Sequence, residues 1–199
     1  MESAREKRCR ARSGSHDVHT RGLRPARRRR EDERRFEFVD GQIFAFAGAM
    51  PVHNALVSRI VVLLDGTVSE PCRVYSGQQG VRIGERQLYV IPDIVVSCEE
   101  TQRQQRDLVS PLVIVEIVSP ATRDYDIVRK GRFYASLPCL ANYVFVDTAE
   151  RRVTVVTRER EAWWSENSTS GESFVITNTR FRCELPVDEL YRTLEVPSD

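Results

Sequence analysis

Hydrophobic and polar positions in this chain change rhythm several times, and each change marks an element. Phe36–Val39 and Gln42–Phe46 are β-prone runs on either side of Asp40-Gly41. That pair supplies the positive φ angles of a two-residue turn, so the three pieces read as a β-hairpin. Pro51 then opens a helix to about Thr67: Val52, Leu56, Ile60 and Leu63 recur at spacings of four, four and three, the period of one apolar stripe, and Gly66 helps to end it. Short strands are predicted near Arg73–Tyr75, Gly80–Ile83, Leu88–Ile91 and Asp93–Ser97, with Gly84-Glu85-Arg86 as a turn between two of them. Residues 99–107 are polar and read as a surface loop.

The clearest strand is Leu112–Val118, an aliphatic, β-branched run bracketed by Pro111 and by Ser119-Pro120. A helix over 122–136 and strands at 142–147 and 152–157 follow, which makes a strand–helix–strand crossover. Trp163 and Trp164, a strand at Ser173–Thr177 and a helical turn near Val187–Tyr191 close the chain. The pattern predicts an α/β fold on a central mixed sheet flanked by helices, with an N-terminal hairpin, C-terminal strands and no internal repeats. The longest apolar stretches, Ile60–Leu64 and Leu112–Val115, are core-sized and far short of the run of about 18 that a membrane span needs. The reading excludes an integral membrane protein.

Composition adds an asymmetry. The chain has 199 residues and a formal charge of +1. Residues 1–35 hold 13 Lys and Arg against 6 Asp and Glu, a net of +7, while residues 36–199 hold 17 against 23, a net of −6. The first segment has no Phe, Tyr or Trp, and its large aliphatics are Val18 and Leu23, too little apolar surface to offset the entropy of ordering it. The expected division is a disordered Arg-rich tail, 1–35, and one domain, 36–199. The Arg27–Arg30 run has the charge to meet phosphates, but without interleaved aromatics it specifies no partner. The five cysteines, Cys9, Cys72, Cys98, Cys139 and Cys183, are odd in number, widely spaced and form no CxxC pair. With no signal-type apolar segment, the expectation is a reducing, cytoplasmic compartment, without disulfides or structural zinc.

Three charged residues then stand out. Only two of the 30 basic residues are lysines, Lys7 and Lys130, so residues 36–199 contain one ammonium among their arginines. An ammonium is a compact point charge, unlike a guanidinium. Glu116 interrupts Leu112-Val-Ile-Val-Glu-Ile-Val118, where burial of an uncompensated carboxylate costs several kcal/mol. Alternation puts it on the face of Ile114 and Val118, away from Val115 and Ile117. Asp93 repeats the theme in Ile91-Pro-Asp-Ile-Val-Val96. Two carboxylates on neighbouring strands suit Mg²⁺, which takes one or two of them and fills its other positions with water and phosphate oxygens. Asp126, Lys130 and Tyr134 recur every four residues and line one helical face. If that helix covers the carboxylates, the group forms a phosphodiester hydrolysis site in which metal on Asp93 and Glu116 activates a water and Lys130 orients it and offsets developing charge. The plain alternative is an exposed Asp126–Lys130 ion pair, with Tyr134 packed on the sheet.

The segments Phe36-Glu-Phe-Val-Asp-Gly41, Ile91-Pro-Asp-Ile-Val95 and Val115-Glu-Ile-Val-Ser-Pro120 are followed by Thr122, Asp126 and Lys130 and then by Tyr143-Val-Phe-Val-Asp147. In this order they resemble the bacterial Uma-two family of restriction-endonuclease-like proteins, within the PD-(D/E)XK nuclease superfamily. The resemblance runs from about Arg34 to the C-terminus. It implies a restriction-endonuclease-like fold, dependence on Mg²⁺ (or Mn²⁺), DNA as substrate, and pairing into a homodimer. It places Asp93 and Glu116 as metal ligands and Lys130 as the catalytic lysine. The wider superfamily carries its lysine two residues after the glutamate, where this chain has Val118, so the resemblance implies that the role has moved to Lys130. Glu37 aligns with a recurrent acid of the family; an exposed strand acid is the other reading. His53, the one histidine outside residues 1–35, either contacts the site or serves as a helix cap. Trp163 and Trp164 either stack on bases or cover a sheet edge, and Arg123, Arg129 and Arg132 either meet phosphates or form a solvated face. The expected activity is metal-dependent DNA endonuclease; the alternative, suggested by Val118 and the −6 charge, is a catalytically inactive nucleic-acid-binding or interaction protein on the same scaffold.

Overall fold

The computed structural model describes residues 35–39, 42–46, 49–77, 79–83, 88–100 and 106–198. The expected tail (except Arg35) and the expected turns at Asp40-Gly41 and Gly84-Glu85-Arg86 lie outside them. β1 (Arg35–Val39) and β2 (Gln42–Phe46) form the hairpin, with Glu37 opposite Phe44. Helix α1 (Pro51–Asp65) follows, with proline in its first turn and with Leu56, Ile60 and Leu64 as its buried positions. Leu63 of the predicted stripe is only partly buried, since Leu64 takes the deepest place in the last turn.

Where the pattern predicts one sheet, the strands divide into several. β3 (Arg73–Ser76), β6 (Ile94–Ser97), β8 (Pro111–Val118), β9 (Asn142–Asp147), β10 (Arg152–Glu159) and β11 (Ala162–Thr169) make a six-stranded sheet in the order β11-β10-β9-β8-β6-β3. Only β8 and β9 in it are parallel, joined by the expected helical crossover. The hairpin, β4 (Gly80–Ile83), β5 (Leu88–Val90) and the short β7 (Asp107–Leu108) form a second sheet, β2-β1-β5-β4-β7. β12 (Ser173–Thr177) and β13 (Arg182–Pro186) pair separately and lead into α3 (Val187–Tyr191).

The central strands β6, β8 and β9 of the six-stranded sheet are buried on both faces, which explains why they are nearly continuous apolar runs. On one face Val113, Val115 and Ile117 of β8 meet Leu56, Ile60 and Leu64 of α1, with Phe174, Leu185 and Leu190 from the C-terminal elements. On the other, Val95, Ile114 and Val118 meet Val39, Val81 and Val90 of the second sheet, together with Tyr134. Glu116 belongs to this second face, as alternation requires.

Two local expectations are corrected. The crossover segment is not a regular α-helix: Tyr125–Lys130 is a π-helical stretch, continued by the short helix α2 (Gly131–Tyr134). The absence of disulfides does not hold either, because Cys72 and Cys98 are bonded. The antiparallel β3–β6 ladder pairs Arg73 with Ser97, which brings the two flanking cysteines side by side despite a sequence separation of 26. Trp163 and Trp164 lie on β11, at one edge of the six-stranded sheet: Trp163 packs inward beneath the Arg158 guanidinium, and Trp164 faces solvent. No helix among the described residues is long and apolar enough to cross a membrane.

Candidate active site

Four acids and one lysine meet where the second sheet and the π-helical segment cover the middle of β8. The β6–β8 ladder pairs Ile94 with Val115, so Asp93, one residue before β6, lies next to Glu116. Its Oδ2 accepts the Ile117 N–H at 2.9 Å. Glu116 Oε1 accepts from Tyr134 Oη at 2.8 Å and lies 2.8 Å from Lys130 Nζ. The same ammonium reaches Asp126 Oδ1 at 3.1 Å and Glu37 Oε1 at 3.2 Å. Asp126, Lys130 and Tyr134 are all buried, so the exposed ion pair is not what forms. Glu37, on β1, is buried as well; it accepts from the Ile91 N–H at 2.8 Å and from Tyr125 Oη at 2.9 Å. His53, in the first turn of α1, places Nε2 3.1 Å from Asp93 Oδ2.

Sequence reasoning missed two tyrosines. Tyr125 tethers Glu37, and Tyr143 donates to the Asp126 carbonyl at 2.7 Å within the π-helical stretch. The available signal was a phenol inside an apolar run, Tyr143 in β9, which needs a buried acceptor just as Glu116 needs a buried cation. The candidate phosphate-binding arginines have other partners: Arg123 pairs with Asp147, Arg129 covers the Phe44 ring and bonds Gln42, and Arg132 covers Phe133.

The electrostatics follow from burial. Glu116 is pushed well above the ordinary carboxyl range by desolvation and by Asp126, Asp93 and Glu37, with Lys130 opposing. Asp126 is raised for the same first reason, again against Lys130. Burial favours a neutral Lys130, but Glu116, Glu37 and Asp126 outweigh it, so the ammonium stays protonated well above its ordinary range. Asp93 is desolvated too, yet His53, the Ile117 N–H and Lys130 hold it below the usual carboxylate value. Tyr134 is raised by burial and by Glu116, which keeps its phenol a donor.

Among the described residues no group of three or more His, Cys, Asp or Glu side chains is arranged to hold a metal ion. The donor set nevertheless fits a hard divalent cation: the adjacent Asp93 and Glu116 offer only oxygen, and three carboxylates, Glu116 among them, share one lysine. A cation beside Glu116 would offset the burial and the carboxylate repulsion that raise it. Mg²⁺ needs no more than one or two such carboxylates.

A mixed α/β fold with flanking helices, an N-terminal hairpin and C-terminal strands is restriction-endonuclease-like, the scaffold of the PD-(D/E)XK-related nucleases. Residues 24–187 match the sequence profile of Uma2, described as "Putative restriction endonuclease", and the chain belongs to that family. Among curated proteins it is similar to uncharacterized protein slr1290 of Synechocystis sp., 30% identical over 133 residues that cover 64% of this chain and 68% of that one. It is similar also to uncharacterized protein sll1609 of the same organism, 28% identical over 141 residues covering 69% and 80%. The crystal structure of "a putative nuclease belonging to DUF820" from Anabaena variabilis matches with a TM-score of 0.61 at 18% identity, covering 78% of this chain and 89% of that one. At that identity the match speaks for the fold.

Proposed function

We propose that this protein is a metal-dependent endonuclease that hydrolyses DNA phosphodiester bonds, with residues 36–199 as its nuclease domain and Asp93, Glu116 and Lys130 at its centre. The observation that carries the reading is the convergence of Glu116 on β8 and Asp93 at the start of β6 with the domain's one lysine in a buried, acid-rich site. Asp93 and Glu116 would hold Mg²⁺ or Mn²⁺, which supplies Lewis-acid polarisation of a phosphoryl oxygen and a more acidic water. Lys130 is held as a cation by three carboxylates, so it serves as a fixed positive charge for the developing phosphorane and not as a proton acceptor. Glu37, Asp126 and Tyr134 fix the network around it, and Tyr125 fixes Glu37.

The enclosure of Lys130 favours a second reading, a catalytically inactive nucleic-acid-binding protein: its side chain is only 4% exposed, and Val118 is buried and apolar. Purified protein incubated with supercoiled plasmid and with single-stranded DNA, in Mg²⁺, Mn²⁺ or EDTA, separates the two. The expected result is metal-dependent cleavage that Asp93→Asn and Glu116→Gln each reduce by at least about a hundredfold, the scale of losing an electrostatic contribution to the transition state. Cleavage that survives both substitutions refutes the residue assignment. Binding without cleavage under every condition supports the inactive scaffold.

A further inference from the structure

We infer that His53 is a positioning residue that sets the orientation of the Asp93 carboxylate toward a bound divalent ion. The inference rests on the reading above, that Asp93 holds such an ion. Helix α1 packs Leu56, Ile60 and Leu64 against the face of the six-stranded sheet opposite to Glu116. His53, three residues before Leu56, instead brings its ring to Asp93 at the start of β6, with Nε2 3.1 Å from Oδ2. The same Oδ2 accepts the Ile117 N–H at 2.9 Å, from the residue after Glu116. Two donors from separate elements on one oxygen fix the rotation of the carboxylate, and with it the direction of the other oxygen. Hydrogen bonds of this kind orient metal-ligating carboxylates.

The ring's other nitrogen distinguishes this role from that of a helix cap. A capping side chain bonds the unpaired N–H groups of the first turn. No side-chain bond caps α1 at Met50, and His53 Nδ1 is buried with no hydrogen-bond partner among the described residues. Since the Asp93 carboxylate can only accept, Nε2 carries the proton of this bond, and the ring spends its one polar contact on the carboxylate.

The test measures Mn²⁺ binding without DNA, by calorimetry and water-proton relaxation, alongside metal-free thermal melts. It compares the full-length wild type with Asp93→Asn, His53→Leu, His53→Gln and His53→Asn. The expected result is that Asp93→Asn loses binding and His53→Leu weakens it about 10- to 100-fold, the range for residues that orient metal ligands. His53→Gln should recover most of the affinity, because its amide N–H reaches as far as Nε2, and His53→Asn should not, because its amide falls short. The Gln–Asn pair carries the comparison if His53→Leu fails to fold. Wild-type affinity in His53→Leu or His53→Asn, or a Gln variant no better than Asn, overturns the role of His53 while leaving metal at Asp93 intact. A wild type that binds no Mn²⁺, or undiminished binding by Asp93→Asn, refutes metal at Asp93 and this inference with it.

Discussion

Glu116 is 3% exposed within a strand whose other side chains are aliphatic, and burial with Asp126, Asp93 and Glu37 nearby raises its carboxyl well above 4.5. A raised carboxyl penalises the fold where the unfolded glutamate is ionised and the folded one resists ionisation. The penalty is therefore absent below about pH 4.5 and grows as the pH rises through the folded value. Glu116→Gln keeps an acceptor for Tyr134 and Lys130 and removes a charge, so it should stabilise the protein at pH 7 while abolishing the proposed cleavage. Chemical denaturation at pH 7 and pH 4 tests this: the gain should shrink toward zero at the lower pH. Glu116 could be singled out from sequence because a charge in an aliphatic strand demands compensation. Glu37 was marked only by the family resemblance, since Phe36-Glu-Phe38 also suits a strand with one wet face. Its burial depends on Lys130 and Tyr125, which arrive about 90 residues later in the chain.

Helix α1 links the core to the site, because its apolar stripe seats the helix and its first turn carries His53. Leu56→Ala removes a fully buried side chain between that turn and the sheet, and should destabilise by about 2–5 kcal/mol in urea unfolding. A loss below about 1 kcal/mol would mean that the helix is not anchored there. The stripe was legible because a period near 3.6 is written in the order of residues. The π-helical turn at Tyr125–Lys130 was not, although the four-residue spacing of Asp126, Lys130 and Tyr134 was. Widening a helical turn depends on what surrounds it, and here Tyr143, from the neighbouring strand, bonds the Asp126 carbonyl. The Cys72–Cys98 bond was hidden for a similar reason, as only the register of β3 on β6 makes those cysteines neighbours.

At the scale of the whole molecule, residues 36–199 carry −6, and the site concentrates four of those acids near the one lysine. Such a body repels phosphates, and under the proposed function cations held in the site would offset that repulsion. The affinity of a labelled duplex, followed by fluorescence anisotropy at constant ionic strength, should therefore rise at least about tenfold when EDTA is replaced by Ca²⁺, an ion of the same charge and oxygen preference as Mg²⁺. Equal affinity in both buffers would count against the metal-bridged reading. Alternation and periodicity, which act between near neighbours, sufficed to mark the hairpin, the main strands, α1 and the crossover. Alternation also marked Glu116 and Asp93, and composition the single lysine of residues 36–199, as residues that need an explanation. Division into separate sheets, the burial of Glu37, the contact of His53 with Asp93 and the sharing of one ammonium among three carboxylates were decided only by tertiary packing. Each depends on groups that are distant along the chain and meet in low dielectric, where the cost of an unpaired charge selects its partners.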